Sequence, residues 1–538
     1  MAGHITRREF IGTASGTIGL GLTCGVPAIT QSEQTEGYRM NRALKILRIH
    51  PRDNVVVALE NLESGLTFPI DGLEIETREF IPQGHKVALF KISAQEQVIK
   101  YGLPIGHATS PIEPGMWVHV HNVQTNLSDL IEYKYEPDFQ PVAPIDTKET
   151  FEGFIRRNGE VGIRNDLWIV PTVGCVNETA KTLAQKMRTV LPKGNISGVY
   201  AWPHTHGCSQ LGGDLQRTQK ILAGLVRHPN AGGVLVLSLG CESNTLDSFR
   251  NCLEETNPDR VKFLVCQQVA DEMEAGIKLL HALLEYAGTF QRTAVSLNRL
   301  RVGLKCGGSD GFSGITANPL VGMISDRLVA NGGTTVLTEV PEMFGAETLL
   351  MKRCMNRETF DQCVEMINDY KKYFIRYGQP VYENSSPGNK DGGLTTVEDK
   401  SAGCTQKGGT SPVVDVLPYG GLLRKSGLNL LAAPGNDMVA TTALIASGCH
   451  LILFTTGRGT PFGGPVPTLK ISTNRDLAKR KKNWIDFNAG QLLEGVSMQE
   501  CADQLYRMVV DVASGRCLAR NEENGVREIA IFKDGVTM

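Results

Sequence analysis

Little in this sequence would tie the protein to nucleic acid or to a membrane. Its 55 basic residues stand against 57 acidic ones in 538, so no charge excess recruits a polyanion or an anionic lipid surface. The one mild apolar stretch near the start, Ile11 to Val26, is too short and too rich in glycine to span a bilayer. There is no low-complexity tract and no fixed-period repeat, which excludes solenoid and fibrous architectures. Aromatic residues make up only 6% of the chain while glycines number 58, the profile of an α/β enzyme rich in tight turns. Thirteen cysteines occur, but the number is odd, the spacing is scattered and CxxC is missing, so no disulfide framework is expected. No GxGxxG follows the first α/β strand and no acid occupies the ribose position, which argues against a nucleotide-dependent oxidoreductase.

What is present begins with a leader, residues 1–39, that does not look like part of a fold. Thr6-Arg7-Arg8-Glu9-Phe10-Ile11 matches the twin-arginine export pattern, and Pro27-Ala28 offers a small-residue cleavage site. The expectation is export to the periplasm as a folded protein. Translation from Met40, which opens MNRALKILRIH, would instead give a cytoplasmic one.

Residues 43–122 read as a small all-β module of short alternating runs separated by Asp-Asn, Gly and Pro turns. Polar residues gather in those turns, among them His85, Lys86 and Lys100. His119 and His121, two apart, fall on one side of a predicted strand, either as metal ligands or as a solvated face. Residues 123–150, with several prolines and acids, read as a linker.

From residue 151 the pattern becomes strand–loop–helix, divided into a middle α/β domain (151–297) and a C-terminal α/β domain (298–538), both with mostly parallel sheets. Successive strands end in GCVN at 174–177, in PHTHGCSQ at 203–210, in GCESN at 240–244 and in CQQ at 266–268. In a right-handed parallel sheet these loops share one edge. Residues 270–297 read as a helical arm. A β–α–β unit over 301–345 then brings the loop CGGSDGFSG beside Glu339 and Glu342. Residues 382–409 read as a long polar loop carrying Asn389, Lys390, Lys400, Cys404 and Lys407, suited to a carboxylate-bearing ligand. Arg458 and Thr460 follow a later strand as an anion clamp. Cys252, Cys354, Cys363, Cys501 and Cys517 fall in helical patterns as packing thiols, whereas Cys175, Cys208, Cys241, Cys306 and Cys404 sit beside glycine. A lone cysteine at a strand end is ordinarily packing; several in phase are not.

GHK and KYGLPIG, then HGCSQ, LGCE, CGGSDGFSGITANP, TEVPEMFGAE, SPGNKDGG and TTGRGTPFGG, in this order, resemble the altronate dehydratase/galactarate dehydratase family. The resemblance covers about residues 43 to 538, and its altronate branch is the nearer. It implies an N-terminal SAF (antifreeze-like) domain ahead of the two α/β domains, and a requirement for Fe(II) or Mn(II). It also implies dehydration of a sugar acid, D-altronate to 2-dehydro-3-deoxy-D-gluconate, with galactarate the next substrate to consider. Carried over, it points to His85, Lys86, Cys175, His204, Cys208, Cys241, Glu242, Cys306, Ser309 and Asp310. Two features depart from the altronate pattern: His206, where a tyrosine is expected, and the leading 39 residues.

Dehydration next to a carboxylate needs a base, an acid for the leaving hydroxyl and a cation for the charge that builds up. His204, Glu242 or a lysine are candidates for the base, and His85 or His206 for the acid. Lys100, Asn389, Lys390, Lys400, Arg458 and Thr460 are candidates for holding substrate. Cys175, Cys208, Cys241 and Cys306 could ligate a lone Fe(II), or three of them a four-iron cluster with one open iron. The alternative ligand set is His119, His121, His204, Glu242 and Asp310. The expected partner is a small sugar acid, with no nucleic acid and no stable membrane insertion, and a homo-oligomer is compatible with the sequence. The rival class is an exported, non-catalytic sugar-acid-binding protein.

Overall fold

The computed structural model describes residues 45–538 except 129, 144, 146–147, 192–193, 254–255 and 383–385. The export pattern at Arg7-Arg8 and the alternative start at Met40 lie outside the described residues.

The first domain is antiparallel throughout. Ile46–Leu47, Val55–Ala58, Lys86–Ala88 and Trp117–Val118 form one sheet. Gln97–Lys100, Leu103–Ala108 and Val123–Gln124 form another, so the module runs past residue 122 into the stretch expected to be a linker. The strand at Trp117–Val118 ends before the two histidines: the chain turns there, with the Asn122 N–H donating to the His119 carbonyl (3.0 Å). His119 is therefore buried and His121 exposed, and they do not share a strand face.

The middle domain is tied at its neck. Thr150–Ile155, just before it, pairs antiparallel with Arg292–Ser296, just after it. The expected helical arm thus stops at Gly288 and becomes a strand, because Thr293 and Val295 are β-branched and find a partner strand from 140 residues earlier. Between these ends lies a parallel sheet in the order Gly198–Ala201, Asp166–Pro171, Ala231–Ser238, Val261–Val265.

The C-terminal domain is a seven-stranded parallel sheet centred on Arg301–Cys306, flanked by Thr334–Leu337 and Leu451–Thr456. Its central strands are buried along their whole length, which is why they read as continuous apolar runs. The helices Gly212–Arg227 and Asp437–Ala446 pack together between the two sheets, sharing a core that includes Trp168, Leu222, Leu444 and Phe454. At their carboxyl ends the amino edges of both sheets meet: His228 bonds the Cys449 carbonyl (3.0 Å) and the Asn230 amide donates to the His450 carbonyl (3.0 Å). The carboxyl edges, where the thiol-bearing loops lie, face away from this junction. Among the described residues no helix is long and apolar enough to cross a membrane.

Candidate functional site

Three loops at the carboxyl edge of the middle sheet are stitched together by backbone. The Gly174 N–H donates to the His206 carbonyl (2.9 Å) and the Asn244 N–H to the Gly207 carbonyl (3.0 Å). The Asn244 amide donates to the Thr172 carbonyl (3.0 Å). Gly207, at φ 97°, sits so close to the Thr172 carbonyl that a Cβ would collide with it. Cys175, Cys208 and Cys241 each stand within one to three residues of these contacts, and all three thiols are exposed. Cys266, on the fourth loop, is partly buried, and burial pushes its thiol up to about 11.

The histidines and the carboxylate among them hold the loops in place. His204 is buried, its Nε2 against the Pro171 carbonyl (2.8 Å) and its Nδ1 accepting from the His206 N–H (3.1 Å). Both ring nitrogens are therefore occupied, and burial pulls the imidazole down to about 4. Glu242 accepts from the Thr172 and Ser238 hydroxyls (2.6 Å each) and from the Gly240 N–H (2.6 Å). Burial would raise its carboxyl, but these donors outweigh it and keep it below the usual range. His206 takes a hydrogen bond from the Gln210 amide (3.0 Å). The chain's last residues lie on this loop, with the Met538 N–H donating to the Ser209 carbonyl (3.0 Å).

Cys306 does not join the other three. It ends a strand of the second sheet and lies 3.4 Å from the Cys404 sulfur and 2.8 Å from Glu342 Oε2. Among the described residues, Cys306, Glu342 and Cys404 are the metal-type side chains that converge within 4.8 Å. Lysines surround them. Lys407 Nζ is 2.6 Å from the Cys306 sulfur, Lys400 Nζ is 2.8 Å from Glu342 Oε1, and Lys305 Nζ is 2.8 Å from both Glu339 and Asp437. Burial, then Cys404 and Glu342, push the Cys306 thiol far up.

This cluster explains residues 386–408, much of which is helical rather than loop. Ser386 and Asn389 form a capping box for the helix Pro387–Asp391, and Thr396 caps the helix Val397–Cys404. The second helix is buried along its length because its charged residues find partners inside, which no local pattern reveals. Asn389 donates to the Ser309 carbonyl (2.8 Å), joining two predicted site residues. Asp310 accepts from Ser313 (3.0 Å), Thr473 (2.8 Å) and Asn474 (3.0 Å), so it is a loop anchor rather than an available ligand or catalyst. Lys390 is half-buried and Arg458 exposed, and Thr460 takes its own bond from the Phe462 N–H (3.2 Å). Glu339, Glu342, Lys305, Lys407, Cys404 and Asp437 complete the cluster. Glu339 and Glu342 were legible as a carboxylate pair after a strand, and Cys404 and Lys407 as part of a ligand-suited polar stretch; Lys305 and Asp437 were not.

Lys86 and Lys100 point inward. Both bond Asp399, at 2.8 and 2.9 Å, with all three side chains fully buried. The SAF-type module docks through them, through the 3.2 Å contact of His85 Nε2 with the Asp391 carbonyl, and through Gly84, against which Gly311 packs too closely for a Cβ. Although burial opposes it, the two ammoniums hold the Asp399 carboxyl far below its usual range. Asp399→Asn would leave two buried ammoniums facing a neutral amide. It is expected to cost about 3–5 kcal/mol, read as a lowered urea midpoint; a loss under about 0.5 kcal/mol would show the triad to be solvated.

A metal ion fits the two thiol groups unequally. Around Cys306, Glu342 and Cys404, three carboxylates (Glu339, Glu342 and Asp437) already face three ammoniums, and Lys407 stands where an ion would bind sulfur. A dication there would add charge to a balanced, dry cluster. The exposed thiols of Cys175, Cys208 and Cys241 do not converge within 4.8 Å as that cluster does; among the described residues they have no lysine in hydrogen-bonding contact, and they are soft ligands suited to iron.

A small β module docked on two parallel sheets, with thiols, lysines and carboxylates at the strand ends, defines an α/β enzyme for a small anionic substrate. Three family models match the chain in succession. They are the altronate/galactarate dehydratase SAF domain over residues 44–126, the D-galactarate dehydratase/altronate hydrolase second domain over 153–288, and the D-galactarate/altronate dehydratase C-terminal domain over 297–537. An altronate dehydratase of Escherichia coli (strain K12) is 53% identical over 496 residues, 92% of this chain and 100% of that one. An altronate dehydratase of Bacillus subtilis (strain 168) is also 53% identical, over 91% of this chain and 99% of its own. A galactarate dehydratase (L-threo-forming) of Escherichia coli (strain K12) is 35% identical over 90% of this chain and 96% of its own. The chain belongs to the altronate/galactarate dehydratase family.

Proposed function

We infer that this protein is a hydro-lyase that removes water from D-altronate, giving 2-dehydro-3-deoxy-D-gluconate. The observation that carries this is 53% identity to two altronate dehydratases across essentially their whole length, against 35% to the galactarate enzyme. The substrate lies at the carboxyl edges of the two sheets. Arg458, exposed there, receives the carboxylate. Asp437, the cluster carboxylate that reaches solvent, is placed to take the proton from the neighbouring carbon, with Lys305 bonding one of its oxygens (2.8 Å). His204 and Glu242 hold the thiol loops rather than moving protons, since their acceptors and donors are taken up. Cys175, Cys208 and Cys241 would hold iron, as a single ion or in a cluster; thiolate donors favour iron over manganese. Bound iron would supply Lewis-acid polarisation of the hydroxyl and carboxylate of the substrate.

The test is a panel of aldonic and aldaric acids offered to purified, reduced, iron-loaded protein, with the keto acid product measured. Turnover of D-altronate above the rest is expected, with galactarate the second acid to watch. No turnover of any acid would sink the enzyme reading and leave a binding protein.

A further inference from the structure

Residues 529–538 run from the C-terminal domain onto the thiol loop of the middle domain, with no helix and only an isolated bridge at Thr537. Their first half is fastened to the C-terminal domain. The Ala530 N–H donates to the Thr442 hydroxyl (3.0 Å) and the Phe532 N–H to the Tyr419 hydroxyl (2.9 Å). The Phe532 ring lies edge-on to Tyr373 and Tyr419, and Asp534 pairs with Arg376 at 2.5 Å.

The second half is fastened to the loop that carries Cys208. Thr537 bridges to Gln210, and the Met538 N–H donates to the Ser209 carbonyl (3.0 Å). The firmest hold is Asp214, a buried carboxylate in the first turn of the helix Gly212–Arg227, which follows that loop directly. Its Oδ1 accepts from the Asp534 N–H (2.9 Å) and its Oδ2 from the Gly535 N–H (2.6 Å). Arg217, at 2.6 Å, accounts for the charge of Asp214 by itself. It does not account for two backbone N–H groups turned onto the same carboxylate from a segment with little regular structure. Fixing such a segment costs conformational entropy at every residue, and the bonds that offset this cost join two domains.

We propose that Asp214 is a positioning residue. By gripping the backbone at 534–535 it fastens the Cys208 loop to the C-terminal domain, and so sets where that thiol stands relative to Arg458 and Asp437. The proposal rests on the reading that Cys208 helps to hold iron. Outer contacts that fix a ligand loop govern metal retention and rate without touching the metal or the substrate.

The test uses the full-length chain, before and after iron loading. Asp214→Ala removes the acceptor, and Gly535→Pro removes one donor at an exposed position that leaves the core untouched. Amide hydrogen exchange of the iron-free chain reads the loop directly. The N–H groups of Gly174 and Asn244 bond the loop carbonyls of His206 and Gly207, not residues 529–538, so they open only if the loop does. They should exchange about tenfold faster in each variant, while those of the strand Ala231–Ser238 keep the wild-type rate. After loading, iron affinity and kcat on altronate should each fall by about 10- to 100-fold, with KM unchanged because Arg458 is untouched. The two substitutions together should cost no more than the larger one alone, since both break one contact.

Unchanged exchange at Gly174 and Asn244 overturns the proposal, as do losses that add. Faster exchange with full iron and full rate also overturns it, leaving a clasp that serves only the fold. Should Asp214→Ala fail to fold, Gly535→Pro decides alone. Failure of the thiol reading shows separately, as a Cys208→Ser chain that keeps its iron, and leaves the exchange rates as they are.

Discussion

Cys175→Ser, Cys208→Ser and Cys241→Ser should each lose bound iron and lose about a thousandfold or more in turnover. Serine removes a soft donor that must be a thiolate to bind iron. A thousandfold corresponds to about 4 kcal/mol of transition-state stabilisation, within what a metal supplies at a developing charge. Cys306→Ser should keep its iron, because that sulfur already faces Lys407 at 2.6 Å and Cys404 at 3.4 Å. Cys363→Ser, in the buried face of the helix Arg357–Arg376, should change neither iron nor rate. Iron content and visible absorption report directly: broad, strong absorption marks a cluster, and near absence marks a single ion on nitrogen and oxygen. If the three edge variants keep full iron and full rate, the metal sits elsewhere and those thiols are bystanders.

Acidification from pH 7 to pH 5 should destabilise this protein. Burial pulls His85 and His204 down to about 4, His119 and His228 to about 3, and His450 well below the ordinary imidazole. Unfolded imidazoles titrate near 6.5, so between these values the unfolded chain binds more protons than the folded one. Stability present above pH 6.5 is therefore lost as pH falls toward 4. From pH 7 to pH 5 His204 and His228 each contribute a loss of about 2 kcal/mol, and His85, His119 and His450 add to it in the same direction. Asp166 and Asp486 work against this, since burial raises both to about 6 and the fold gains their protons over the same interval. Burial also raises Asp53, Asp310, Glu339 and Glu398, but the imidazoles outweigh these carboxyls and a net fall is expected. Guanidinium midpoints at pH 7 and pH 5 measure it; equal midpoints would mean that the histidines are hydrated and charged in the fold.

Much of the architecture was legible because it is local. Several parallel strands are buried apolar runs that lead into glycine-bearing loops, so the strands before Cys175, Cys208, Cys241 and Cys306 and the loops after them follow from sequence pattern. So do the helix Ala317–Ala330 and the carboxylate pair Glu339 and Glu342. The β-rich start was legible for the same reason, from alternation and turn residues. The family motifs then carried the chemistry, since they span nearly the whole chain.

What the sequence could not contain is which distant residues meet. Cys306 looked like a fourth member of the thiol set because it shares the strand-end pattern, yet it lies in another sheet and meets residues about 100 positions later. Residues 382–409 looked like a solvated loop because they are polar. The helix Val397–Cys404 and Lys407 within them are interior because Lys400 and Lys407 neutralise Glu342 and Glu339, and Asp399 neutralises lysines from the first domain. Lys86, a catalytic candidate, and Lys100, a substrate-binding one, are both bonded to Asp399 in the interior. His204, Glu242 and Asp310 have the side chains of catalysts, but every hydrogen bond named for them here closes a loop. Local pattern therefore determined the elements and the edge at which chemistry occurs. The pairing of buried charges, a long-range Coulombic balance that only a folded chain can strike, decided which side chains are free to take part in it.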